Sequence, residues 1–170
     1  MPRPVFMICS EMASENKKDN QLSIFGVIEM LTLQIAAKEG ATVPPPERSI
    51  KSRIIAAWLK EEADEGVEFE EQVVFHLPGA TDEVVAAEQR FRFDDEMCIH
   101  RISLQMLGWP PMATPGLFRI ECRVRPVGEE HWMSQEYPIV IEVVHIPPDS
   151  GESDDGDKTS EGNQAVSETS

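Results

Sequence analysis

The groups this chain offers to chemistry are four histidines, three cysteines and a large excess of acids. His76, His100, His131 and His145 are the imidazoles, and Cys98 stands two residues before His100. On a strand that spacing points both side chains to one face, a geometry open to a soft metal. Zinc sites, however, present paired ligands at spacings such as Cys-x2-Cys or His-x3-5-His. Neither occurs, so the expectation is no transition-metal site, with the histidines as isolated strand and loop residues. A hard cation such as calcium wants roughly six to eight oxygens. Acids in three places offer them: Glu61, Glu62, Asp64 and Glu65, then Asp82 and Glu83, then Asp94, Asp95 and Glu96. No Asp-x-Asp-x-Asp-Gly spacing unites them, so they read first as solvated loop charges. Nucleophilic catalysis needs a Ser, Cys or Thr beside a base, and both Gly-x-Ser-x-Gly and the glycine-rich phosphate loops are absent. Cys9, Cys98 and Cys122 fall in apolar or alternating stretches, where a small buried thiol is the ordinary reading. No catalytic residue and no cofactor is expected.

What remains is an apolar loop. Leu107, Trp109 and Met112, interleaved with Gly108, Pro110 and Pro111, are more hydrophobic than loop residues usually are. They are the binding residues the sequence nominates for a protein partner, since Trp and Met favour recognition surfaces and prolines limit the entropy lost on binding. The competing reading is that Leu107 and Trp109 plug one end of the fold.

The elements that position these residues follow from patterning. Phe118, Ile120, Cys122 and Val124 alternate with Arg119, Glu121, Arg123 and Arg125, the period-two signature of a strand with one buried and one wet face. Pro115 and Gly116 precede it, and Pro126 and Gly128 follow, both turn chemistry. Weaker alternation marks residues 91–93 and 102–106. Short runs rich in β-branched residues and Phe occur at 5–10, 22–30, 54–59, 69–77 and 139–146, and residues 132–136 form a hairpin with the preceding strand. The total is about eight or nine strands, enough for two packed sheets. The expected fold is all-β, a two-sheet antiparallel sandwich of immunoglobulin or C2-like style. Residues 29–39 stay open between a helix capped by Gly40 and a strand running through Leu31 and Leu33 into a loop holding Pro44, Pro45 and Pro46. The boundary is set at residues 1–148 for the sandwich and 149–170 for a disordered acidic tail, in which Ala165 and Val166 are the only aliphatic side chains.

Charge narrows the partners. With 31 acidic and 15 basic residues, the formal charge of −16 repels phosphate backbones and anionic membranes. No apolar run approaches the roughly 20 residues of a spanning helix. The opening residues hold too short an apolar stretch for a secretory signal, and three widely spaced cysteines suit reduced thiols. A cytoplasmic address is therefore expected, with no nucleic acid and no membrane as partner.

Ile8-Cys9-Ser10-Glu11, a polar turn, Leu22-Ser23-Ile24-Phe25-Gly26-Val27-Ile28, the late Pro115-Gly116-Leu117-Phe118-Arg119-Ile120 and the closing Tyr137-Pro138-Ile139-Val140-Ile141 together resemble a family of bacterial proteins classed as a domain of unknown function. The resemblance spans about residues 4–146 and implies a β-sandwich, with no catalytic or binding residues attached. The functional expectation is a non-catalytic protein-interaction module. The alternative is a ligand-binding protein or hydrolase whose acidic loops hold calcium or act on carbohydrate.

Overall fold

The computed structural model describes residues 1–16, 21–36, 51–93, 98–112 and 114–146. The proposed tail at 149–170 and the three prolines at 44–46 lie outside the described residues. Nine strands fill the rest: β1 (Arg3–Asn16), β2 (Gln21–Val27), β3 (Met30–Ala36), β4 (Ser52–Leu59), β5 (Glu68–His76), β6 (Glu83–Arg92), β7 (Ile99–Met106), β8 (Gly116–Pro126) and β9 (Met133–Ile146). They form a four-stranded sheet in the order β2-β1-β4-β7 and a five-stranded sheet in the order β3-β9-β8-β5-β6. The all-β sandwich read from the patterning is the fold observed. Among the described residues a short 3-10 turn at Glu62–Asp64 is the one helical element.

Alternation sets the core. β8 turns Phe118, Ile120, Cys122 and Val124 inward, all fully buried, while Arg119 is exposed. Ile54, Ala56 and Trp58 of β4 meet them from the facing sheet. Each large apolar side chain buried this way contributes about 1.5–3 kcal/mol relative to an exposed one.

Four features depart from the sequence reading. Of the two readings left open for residues 29–39, the described part follows the strand, β3, and the first departure lies in its pairing. β3 pairs parallel with β9, Met30 opposite Val140 through Ala36 opposite Ile146, so the sandwich is not antiparallel throughout. A second difference is that the run at 22–30 is two strands. The chain leaves β2 at Val27, and β3 begins at Met30 in the other sheet, while Ile28 N–H donates to the Cys9 carbonyl. Third, residues 133–136 and 139–146 belong to one long strand that runs through Pro138, with Trp132 just before it. Proline lacks an N–H and is tolerated on an edge; the pairing with β3 starts only at Val140, so among the described residues this half of β9 has no ladder partner on that side.

The fourth departure is that β4 is buried on both faces. Ile55 and Ala57 leave β4 on the face away from the core, yet they are 1% and 0% exposed. The far part of the β1–β2 hairpin comes up against Ile55: Ala13, Glu15 and Leu22 line a small pocket together with Arg53, Ile55, Arg101 and Ser103, and Arg101 Nη1 donates to Glu15 Oε1 at 3.1 Å. Gly26, at φ 64°, lies against Glu11, whose carboxylate would stand 2.8 Å from a Cβ at that position. Only glycine accepts both the left-handed backbone and that close approach.

Candidate functional site

Strand β5 sends Phe69, Glu71, Val73 and Phe75 toward the core, so an acid occupies one of four inward positions. Glu71 is fully buried. Register gathers its partners: Gln89 lies opposite it on β6, and Trp58 and His100 form a cross-strand pair on the facing sheet. Glu71 Oε1 accepts from Trp58 Nε1 at 3.0 Å and from Cys122 Sγ at 3.4 Å. Its Oε2 accepts from Gln89 Nε2 at 2.7 Å and lies 3.0 Å from His100 Nε2. An ionised Glu71 accepts only, so Nε2 of His100 carries a proton. The imidazole is stacked on Phe91 with centroids 3.6 Å apart and an interplanar angle of 4°.

Burial pushes the Glu71 carboxyl up, but the hydrogen bonds from His100, Gln89 and Cys122 and the charge of His100 together hold it below its ordinary value. The Cys122 thiol is pushed up, first by burial and then by the Glu71 charge, and so stays a donor. Burial likewise raises Cys9 to about 12. A fully buried carboxylate with both oxygens occupied is a tether between the two sheets. It has no free lone-pair direction for a substrate proton.

A second constellation uses the outer face of the same sheet. His76 and Glu83 are cross-strand neighbours on β5 and β6, and Glu121 projects from the adjoining β8. His76 Nε2 lies 2.9 Å from Glu121 Oε2. One ligand atom from each of the three residues lies within 4.8 Å of the others. Arg123 donates to both oxygens of Glu83, at 2.8 and 3.2 Å, and its Nε donates to Gln72 Oε1 at 3.0 Å. The Arg123 hydrogen bond is the main cause that holds Glu83 below its ordinary value. Trp132 lies over the guanidinium groups of Arg123 and Arg125 at 5.0 and 4.2 Å, which keeps them against the sheet.

The residues nominated from sequence separate. Trp109 and Met112 are buried, Trp109 edge-on to Phe118 with centroids 5.8 Å apart, whereas Leu107 is 70% exposed. The plug describes Trp109 better than the contact surface does, although Leu107 itself points outward. Cys98 is exposed while His100 turns in toward Glu71, so they do not act as a ligand pair. Of the acidic loops, Asp64 is committed to the Met1 ammonium at 2.7 Å and to the Glu61 N–H. That loop and the Glu83 end of β6 lie at opposite ends of the sandwich, since Glu68 pairs with Arg92 and His76 with Glu83. Residues 94–96 are outside the described residues.

The sequence reading passed over Glu71, yet its signal was present as the one acid sharing the inward parity of Phe69, Val73 and Phe75. Glu121 was hidden among the charges of the β8 alternation.

No protein-family model and no curated protein matches the chain.

Proposed function

We propose that this protein is a non-catalytic β-sandwich module that works by contact with a protein partner. One observation carries the reading. Leu117 of β8, Val140 of β9 and Met30 of β3 lie side by side in register on the outer face of the five-stranded sheet, 50%, 46% and 54% exposed. Adjacent apolar side chains on a wet sheet face raise the free energy of the isolated protein and are relieved by a covering surface. Leu107, 70% exposed in the loop that leads from β7 toward β8, is a further exposed apolar side chain that a partner could cover, while Trp109 and Met112 of the same loop are buried. The order of the strands, with a parallel pair between β3 and the last strand, supports an immunoglobulin style for the sandwich. The three free cysteines support a reducing, cytoplasmic setting, and the likeness to a bacterial family belongs to the same reading.

The test is capture of a partner from the native cell by the full chain, followed by the same capture with Val140→Glu and Leu117→Glu. The expected result is loss of the identified partner at an unchanged melting temperature. Retention of every captured protein by both variants would move the contact elsewhere.

A further inference from the structure

We propose that His76, Glu83 and Glu121 form a binding site for a divalent first-row transition ion, with zinc the ion best matched to one imidazole and two carboxylates. The three come from adjacent strands of one sheet, so the backbone ladder fixes their spacing and no loop has to order itself. Tetrahedral zinc with bonds of about 2.0–2.1 Å places its donor atoms roughly 3.3 Å apart. His76 Nε2 and Glu121 Oε2 are already at 2.9 Å, and the whole set lies within 4.8 Å. A small rotation of Glu83, which is exposed, closes the third corner.

Two further observations point to a cation. The carboxylates of Glu83 and Glu121 converge on one imidazole, a like-charge approach that a divalent ion between them turns into attraction. Arg123 offsets part of the Glu83 charge but does not fill the space between the three side chains. It occupies one lone pair on each oxygen of Glu83, leaving the other two free, and it is itself anchored by Gln72 and Trp132. This is the arrangement by which outer hydrogen bonds orient a metal-ligating carboxylate. Three protein ligands leave the fourth position facing solvent, where a water or a partner's side chain completes the ion. His131, His145 and the exposed Cys98 stand apart from the site and supply its internal controls.

Isothermal titration of the full chain with zinc chloride in chelator-free buffer, with magnesium chloride as comparison, tests the site. The expected result is saturable binding of one zinc per chain and none of magnesium. His76→Ala and Glu83→Gln are each expected to weaken zinc binding at least about tenfold, and Cys98→Ser to leave it unchanged. Glu83 is exposed, so its conservative variant keeps the fold even if His76→Ala does not. In a spectrum of the histidine ring protons, zinc should move one imidazole, and that resonance should be missing in His76→Ala. Binding that survives both Glu83→Gln and His76→Ala, binding lost in Cys98→Ser, or no saturable binding overturns the proposal. Val140→Glu lies outside the site and should bind zinc as the unaltered chain does.

Discussion

Strand β5 carries two glutamate-histidine pairings on opposite faces, five residues apart: Glu71 with His100 inside the sandwich, His76 with Glu121 on its surface. The inner carboxylate is fully buried and receives four hydrogen-bonding groups. The outer pair is part-buried and shares its surroundings with Arg123 and water-facing acids. Chemically alike groups thus have opposite physical roles, decided by the parity of the strand. Inside, each lost partner strands a polar atom in a low dielectric; outside, water replaces it at little cost.

The largest effect is therefore expected from Glu71→Ala, which leaves Trp58 Nε1, His100 and Gln89 facing a void. Denaturant unfolding should show a loss of about 3–5 kcal/mol. Next comes the division of β8: Ile120→Ala should cost about 2–5 kcal/mol and Arg119→Ala, on the outer face, under about 0.5. Equal losses would mean that something covers both faces. Trp58→Phe removes the indole N–H bond to a charged acceptor together with part of a fully buried ring, so a loss of at least about 1.5–3 kcal/mol is expected. A smaller but more specific difference lies in the acid limb of stability. Because the folded Glu71 carboxyl sits below its ordinary 4.5, it contributes stability above that pH and loses it as pH falls through the folded value. Glu71→Gln should lack this component, flattening the stability profile below about pH 4.5 relative to the unaltered chain. Parallel profiles would show that Glu71 is not ionised inside. Smallest of all, Glu83→Gln on the outer face should shift stability by under about 0.5 kcal/mol, its effect appearing in metal binding instead.

The legible part of this fold was the part where one face is wet. β8 was readable because charge alternates with apolar side chains, and the sandwich followed. Where both faces are covered the pattern disappears, as in β4, whose outward Ile55 and Ala57 are buried as fully as its inward Ile54 and Ala56. The break between β2 and β3 is a change of sheet, and Pro138 sits in mid-strand only because β3 begins two residues later. The candidate sites were less legible for the same reason. Glu71 was found by parity only in hindsight, its partners lying on four other strands, and His76, Glu83 and Glu121 meet through strand register alone. Trp109 was nominated for its type; its burial against Phe118 is a matter of where the loop turns.

The parallel pairing of β3 with β9 also sets a timetable. The five-stranded sheet joins a strand from the first quarter of the sequence to the last strand described, and such distant pairings are slow because chain entropy must be lost before contacts form. During synthesis β3 emerges early and waits for β9 with its inward Leu31 uncovered on that side, while the hairpin of β5 and β6 can close at once. Refolding should therefore be limited by the arrival of β9. A ribosome-bound chain stopped short of residue 140 would hold its four-stranded sheet beside an unfinished neighbour, the stage at which unwanted association between nascent chains is most easily begun.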